Sequence, residues 1–292
     1  MIKYINHMLI FFSKLLAFLP LPFIHQIAKA LGWILYFCNT KSARIQRSNI
    51  EQSSLCKNED AIKQLINANI TETGKSLLES LAIWGKSESE LSSLVKGIVG
   101  WEDVEAALSL GKGLIFLTPH LGCFEITSIC YGAKHPVTVL YRPPKLKFLQ
   151  DLIVKGRSRT GVTLAEANAN GVRKLMQALK RGEAIGILPD QIPAEGEGEW
   201  ADFFGKPAYT MTLASKLAEK TGAKVMMVFG ERLSNGSGYH IYFNKVDTIA
   251  TPTLLNQAIE HQVAQKPEQY LWQYNRYKAR RHAMQKLNAP KD

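Results

Sequence analysis

Beyond residue 100 the chain alternates short apolar runs with segments of helical periodicity. Segments near 146–156, 171–181 and 210–221 place apolar residues three or four positions apart, which predicts helices. The apolar runs between them are typical of strands that are buried on both faces; they cover residues 114–118, 137–141, 184–188, 225–229 and 239–246. This alternation predicts an α/β fold with a mixed, mostly parallel sheet flanked by helices.

The part of the chain before residue 100 has a helical pattern. Residues 59–85 carry apolar positions at helical spacing and end at Gly85, which predicts one long helix. Residues 8–24 come close to the about 20 apolar residues that cross a bilayer, but Lys14, Pro20 and Pro22 interrupt them. Residues 24–37 continue as an amphipathic run.

A basic cluster directly after these runs suggests what they contact. Lys41, Arg44 and Arg47 suit anionic headgroups on the cytoplasmic side of a membrane. We therefore expect an N-terminal membrane-associated helical segment, residues 1–40, as a membrane anchor, and one catalytic domain, residues 41–292. The same composition also fits a pair of helices in the core.

The composition and net charge indicate which classes of partner the protein could bind. The chain has 292 residues, with 36 Lys and Arg against 25 Asp and Glu and a net charge of +11. Such a surface favours an anionic membrane, an acidic carrier protein or nucleic acid. The four cysteines form no C-x-x-C pair, so the sequence predicts neither a disulfide framework nor a zinc ribbon.

The first candidate for chemistry is His120, which follows the apolar run 114–118. In open α/β sheets, ligands bind at the carboxyl ends of the strands. If His120 lies on a turn before a helix and Glu125 on the first turn of that helix, the carboxylate can hold the imidazole. The other ring nitrogen is then free to take a proton from a hydroxyl group. From spacing alone, a histidine that only caps the helix is the better interpretation.

Two further polar groups could share this edge of the sheet. Six basic residues stand against one acid between residues 142 and 159, and arginine suits phosphate oxygens; they are Arg142, Lys145, Lys147, Lys155, Arg157 and Arg159. Residues 156–161 lack helical spacing and predict a turn. Asp190 and Gln191 follow the run 184–188. The alternatives are a solvated helix face and an ordinary turn after a strand.

Several of these segments together resemble a known family. TPHLGCFE resembles the H-x4-E motif of the lipid A biosynthesis acyltransferases, the lauroyl and myristoyl transferases, a branch of the lysophospholipid acyltransferase superfamily. The similarity continues through YRPPK, GRSRTG, LKRGEAIGILPDQ, FFGKPAYTMTLASKLAEKTGAKV and EQYLWQYNRYKARR. Cys123-Phe124 stands where an Asn-Trp type pair is expected, and the early R-x-N segment is present only as Arg47-Ser48-Asn49. These departures leave the branch and the acyl-chain preference open.

The resemblance implies a site and a reaction. His120 and Glu125 would be the catalytic dyad, with Arg142, Arg157, Arg159, Asp190 and Gln191 binding substrate. The donor would be an acyl carrier protein thioester and the acceptor a lipid A precursor, a phosphorylated glucosamine disaccharide. No metal, cofactor or nucleic acid is expected, and the enzyme would work at the cytoplasmic face of the inner membrane, against anionic lipid. The apolar residues that could line an acyl groove are Trp200, Phe203, Phe204 and Tyr209.

Other functions remain compatible with the sequence. Cys123 could be a thiol nucleophile, and the same dyad could activate water in a thioesterase. A lysophospholipid or other glycolipid acyltransferase would use the same motif. The C-terminal basic run with interleaved aromatics would also suit a membrane or nucleic-acid binding module; its basic residues are Arg276, Lys278, Arg280 and Arg281.

Overall fold

The computed structural model describes residues 11–144 and 147–278. Its first helix, α1, includes residues 11–18. The other helices are α2 Leu21–Phe37, α3 Lys41–Gln52, α4 Glu59–Gly85, α5 Glu88–Leu94, α6 Trp101–Leu108, α7 Phe124–Gly132, α8 Lys147–Arg157, α9 Ala169–Lys180, α10 Leu213–Thr221 and α11 Pro252–Gln265. The strands are β1 Val95–Val99, β2 Leu114–Leu117, β3 Val137–Tyr141, β4 Val162–Glu166, β5 Ala184–Ile187, β6 Gly198–Phe203, β7 Lys206–Met211, β8 Lys224–Arg232 and β9 Tyr239–Lys245.

Within this part of the chain, seven strands form one sheet in the order β1-β9-β8-β2-β5-β3-β4. All neighbours pair in parallel except β8 and β9, which are antiparallel. The central strands β2 and β5 are buried along their whole length, as expected when both faces of a sheet are covered. The prediction of a mixed, mostly parallel sheet flanked by helices is confirmed.

The long helix predicted over 59–85 coincides with α4, and each of the five apolar runs overlaps a strand. The helix predicted from residue 210 instead begins at Leu213, because the preceding residues form β7 of a hairpin. Phe204 and Gly205 turn this hairpin with φ angles of 47° and 71°. The turn predicted over 156–161 is also partly wrong, since α8 continues through Arg157.

The N-terminal helices pack against α4 with close backbone contact. A Cβ atom at Gly74 would lie 1.9 Å from the carbonyl oxygen of Ala28, and one at Gly32 would lie 2.3 Å from that of Ile70. Only residues without a side chain fit at this crossing of α2 and α4. In α1, Ser13 donates a hydrogen bond to the Leu81 carbonyl of α4 at 2.7 Å.

The predicted membrane anchor, residues 1–40, includes α1 and α2 but not α3. No single helix among the described residues has the length and apolar composition of a membrane span. Taken together, α2 and α3 do meet those two criteria, although the pair is bent by 91°. Residues 1–10, which belong to the predicted anchor, lie outside the described residues.

Substitution Gly74→Ala tests the contact between α2 and α4. The added methyl group collides with the Ala28 carbonyl, so we expect a loss of about 1–3 kcal/mol in the free energy of unfolding. Alanine is the better helix former, which acts in the opposite direction by about 1 kcal/mol. Lys63→Ala, at an exposed position of the same helix, is the control. Urea unfolding measures both; a Gly74→Ala protein as stable as the control would contradict the packing.

Candidate active site

His120 lies on a tight loop between the end of β2 and the start of α7. Gly122, two residues later, has a φ angle of +60°, and a Cβ atom there would lie 2.1 Å from the Gly230 carbonyl oxygen. The Cys123 amide donates to the same carbonyl at 2.7 Å. Glycine therefore lets the loop approach β8, which fixes its path.

The imidazole of His120 is held by two residues that follow β5. Its Nδ1 atom lies 2.8 Å from Oδ1 of Asp190, and its backbone amide donates to Oδ2 of Asp190 at 2.9 Å. Its Nε2 atom lies 3.1 Å from the side-chain nitrogen of Gln191. These contacts fit a neutral ring that donates from Nδ1 to Asp190 and accepts at Nε2 from the Gln191 amide.

Asp190 is suited to remain a carboxylate at this position. Burial by itself would raise the pKa of Asp190, which is 3% exposed. The positive charge of the His120 ring when it is protonated, together with the hydrogen bonds from the ring and the backbone amide, outweighs that effect and holds the pKa of Asp190 below its ordinary value. An anionic partner on Nδ1 fixes the tautomer of the ring and stabilises its protonated form.

Glu125 binds a different residue. It lies on the first turn of α7, as expected, but its buried carboxylate forms a two-bond pair with the Arg157 guanidinium, at 2.9 Å from Nε and 2.5 Å from Nη2. This pair raises the pKa of Arg157 although burial opposes it. The spacing suggested Glu125 as the carboxylate on the His120 ring, whereas in the structure that carboxylate is Asp190.

The three arginines expected to bind substrate occupy different environments. Arg142 is exposed and lines the groove beside His120, and Arg157 lines it as well. Arg159 instead donates to carbonyl groups at the C-terminal end of α4, those of Ile83, Trp84 and Lys86. Its guanidinium therefore caps a helix.

Two cavities meet beside these residues. A groove of about 680 Å³ opens over His120 and is lined by polar and basic side chains together with apolar ones; its polar residues include Arg142, Arg157, Asn168, Gln191 and Lys216. A smaller cavity, about 40 Å³, lies between α7 and the sheet; its lining includes Phe116, Tyr131, Val139, Leu164, Val228 and Phe243. Glu125 lines this inner cavity, and Arg157 lines both.

Three side chains at the site were not predicted from the sequence. Asn168 and Lys216 line the groove, and the Trp84 ring lies 5.8 Å from the Arg157 guanidinium carbon. Asn168 caps the start of α9, where its side chain accepts from the Gly171 amide. Nothing local in the sequence marks these residues, because their proximity to His120 arises from different elements of the fold.

The residues expected to line an acyl groove pack elsewhere. Phe203 and Phe204 are buried in the main core, where Phe204 contacts Trp272. Trp200 and Tyr209 are cross-strand partners in the hairpin β6–β7, and their rings contact each other. None of the four lines the groove or the inner cavity.

The structure shows the surroundings of two alternative sites, the Cys123 thiol and the C-terminal basic run. Cys123 is 2% exposed, and burial raises the pKa of its thiol well above the ordinary value, which disfavours a thiolate nucleophile. Arg276 is buried and donates to the Tyr209 carbonyl at 2.7 Å, so it is not part of a basic surface. Arg280 and Arg281 lie outside the described residues.

Several known proteins are similar to this chain over most of its length. The chain is 24% identical to the lipid A biosynthesis palmitoleoyltransferase of Escherichia coli over 90% of its own length and 87% of that protein. It is 23% identical to the lauroyltransferase of the same pathway in that organism, with the same coverage. A lipid A biosynthesis acyltransferase of Haemophilus influenzae is 25% identical over 90% of this chain and 84% of its own.

The family model for bacterial lipid A biosynthesis acyltransferases matches residues 1–279, almost the whole chain. That range contains the His120 loop and every other residue of the groove. The chain therefore belongs to the bacterial lipid A biosynthesis acyltransferase family and is an acyltransferase enzyme.

Proposed function

We propose that this enzyme transfers a fatty acyl group from an acyl carrier protein thioester to a hydroxyl group of a lipid A precursor. The observation that carries the proposal is the His120 ring, whose Nδ1 is held by the Asp190 carboxylate while Nε2 borders a groove with basic side chains. This is the arrangement of a general base. The reaction takes place at the cytoplasmic face of the inner membrane.

The proposed chemistry is a single displacement. Nε2 of His120 takes the proton of the acceptor hydroxyl as its oxygen attacks the thioester carbonyl carbon. The carbon–sulfur bond then breaks, and the proton passes from His120 to the thiolate of the carrier arm. The acceptor must displace the Gln191 amide from Nε2, because that amide lies there at 3.1 Å. The step uses no metal or cofactor, only the acyl thioester as co-substrate.

The cations of the groove suit the charged parts of both substrates. Arg142, Arg157 and Lys216 lie along one groove with His120, where they can bind phosphates of the acceptor or of the carrier's prosthetic arm. Glu125 holds Arg157 at the boundary between the groove and the inner cavity. At about 40 Å³ the inner cavity is too small for a fatty acyl chain, so the chain would lie in the groove, whose lining also includes apolar side chains.

Incubation of the purified protein with an acyl carrier protein thioester and a lipid A precursor tests the proposal. Mass spectrometry should show a gain of one fatty acyl group on the precursor, and His120→Ala should abolish this gain. Lys245→Met, which removes an exposed ion pair with Asp103, should keep it. Free fatty acid released at the same rate without acceptor would indicate a thioesterase. Acylation of a lysophospholipid in place of the precursor would also contradict the proposal.

Variants of the two carboxylates separate their roles. Asp190→Asn retains the shape of the side chain but disturbs the tautomer of His120, so we expect kcat to fall by about 10²–10⁴-fold with little change in KM. Glu125→Gln releases Arg157, so its main effect should be a higher KM for the phosphorylated acceptor. Steady-state kinetics decide between them. A large loss of kcat in Glu125→Gln with an active Asp190→Asn protein would assign the dyad to His120 and Glu125.

The outer face of α1 and α2 is the proposed membrane contact. Nine large hydrophobic residues there are exposed, including Phe18 at 86% and Phe37 at 76%; the others are Phe11, Phe12, Leu15, Phe23, Ile27, Ile34 and Leu35. Residues 11–50 contain no Asp or Glu. An exposed apolar face flanked only by basic residues suits a bilayer with anionic headgroups.

Co-sedimentation with vesicles that contain anionic phospholipid tests this contact. Exchange of two exposed apolar residues, Phe18→Ser and Phe23→Ser together, should lower the bound fraction several-fold at fixed lipid concentration. Leu110→Ser, an equally apolar exposed position outside the N-terminal helices, is the matched control. Equal binding by the two variants would place the contact elsewhere.

A further inference from the structure

A cluster of buried charges lies against the His120 loop. Arg232, at the end of β8, is 4% exposed and donates from Nη2 to the Gly122 carbonyl at 2.7 Å. The same guanidinium pairs with Glu79 of α4 at 2.6 Å and reaches Glu72 of α4 at 3.3 Å. We call these three charged residues the Arg232 cluster. None of them lines the groove or the inner cavity.

Gln269 joins this cluster to the loop from a third element. Its side chain accepts from the Arg232 amide at 2.9 Å and donates to the Arg232 carbonyl at 3.0 Å. Its own carbonyl accepts from the Gly122 amide at 3.1 Å. Gly122 is thus held at both polar atoms, the nitrogen by Gln269 and the oxygen by Arg232. Both contacts lie two residues from His120.

Glu79 extends the cluster to the N-terminal helices. Its Oε2 atom accepts from the Tyr239 hydroxyl at 3.2 Å and lies 3.3 Å from Nε2 of His25, a buried residue of α2. Burial by itself would raise the pKa of Glu79, but the charge of Arg232 and hydrogen bonds from His25 and Arg232 lower it to about 2. Glu79 is therefore ionised at neutral pH and connects α2 with the residue that holds Gly122.

A contribution to folding stability does not by itself explain why these charges are buried. Removing charges from water is costly, and buried ion pairs can often be replaced by apolar residues without loss of stability. A fixed donor for one carbonyl group, in contrast, requires a cation held in one orientation. Glycine has more conformational freedom than any other residue type, so contacts at the Gly122 peptide help to keep the loop in one conformation.

We propose that Arg232 is a positioning residue for His120, and that Glu79 and His25 make this positioning depend on the docking of α2. Arg232 fixes the Gly122 carbonyl, the carbonyl fixes the loop, and the loop presents His120 to Asp190 and to the groove. The kinetic consequence rests on the proposed acyl transfer, whereas the structural consequence does not. In this proposal the N-terminal helices contact the membrane, and the docking of α2 also sets the position of His120.

The double variant Arg232→Met, Glu79→Leu tests the role of Arg232. It removes both charges of the closest ion pair, and Glu72 retains Lys75 as a partner, so the protein should remain folded. Deuterium exchange at the amides of residues 118–123 should become faster by about tenfold or more. The kcat of acyl transfer should fall by about 10–100-fold through misplacement of His120, while KM changes by less than about threefold. Lys245→Met is the folded control for all three measurements.

Three results with the double variant would overturn the positioning role of Arg232: unchanged exchange at residues 118–123, unchanged kcat, or a higher KM with kcat intact. If the double variant does not fold, Arg232→Lys replaces it: one ammonium group cannot serve Glu79 and Gly122 as the guanidinium does, so the same changes are expected in milder form. If the wild-type protein shows no acyl transfer, only the proposed function is refuted. Deuterium exchange would still measure the effect of Arg232 on the His120 loop.

His25→Leu tests the link to α2 separately. It leaves Arg232 and Glu79 in place but removes the contact from α2, so exchange in residues 118–123 should still become faster, and kcat should fall by a smaller factor than in the double variant. Ser13→Ala, which removes a contact between α1 and α4, is the matched control. Exchange in His25→Leu equal to that in the control would remove α2 from the proposal.

Discussion

The site depends on three neighbouring parallel strands, of which β2 and β5 end side by side while β8 continues past them along the loop that carries His120. Leu117 of β2 pairs with Ile187 of β5 on one side and Met227 of β8 on the other. Because parallel strands present their carboxyl ends at one edge, the residues that follow β2 and β5 meet there. His120 thereby reaches Asp190, 70 residues away in the chain, and its loop lies against the end of β8.

The carboxylates of Asp190 and Glu125 both lie near His120, but they bind different partners. Asp190 is bound to the imidazole, so its charge acts on the proton that the ring gains and loses. Glu125 is bound to Arg157, so its charge acts on a cation that borders both the groove and the inner cavity. In the proposed mechanism, one acid therefore orients the general base, while the other holds a cation that can bind anionic substrate.

The N-terminal helices and the catalytic centre form one connected structure. Glycine at the crossing of α2 and α4 brings their backbones into contact, and α4 also carries Glu72, Glu79 and Trp84. Glu79 faces Arg232 and Trp84 faces Arg157, so a single helix contacts both sides of the site. The N-terminal helices α1 and α2 also carry the exposed apolar residues that we propose as the membrane contact.

The strands and the long helix were predictable because their signals are local. The apolar runs of β2, β3, β5, β8 and β9 are continuous, and α4 has an unbroken helical period. β4 was missed because only Val162 and Ala165 of its five residues are buried, and the hairpin β6–β7 was missed because its pattern is interrupted by polar residues. The aromatic residues of this hairpin were assigned to a groove, although they pack into the core.

The sequence by itself determined the α/β class and the family, and it singled out His120, Glu125, Arg157 and Asp190 as candidates, because residue types and spacing are local properties of a chain. Only the tertiary structure decided which carboxylate meets the imidazole, which arginine caps a helix, and that Arg232 reaches the His120 loop. Those pairings join residues from 70 to 110 positions apart. Their distances are set by strand order and helix packing, which spacing along the chain does not encode.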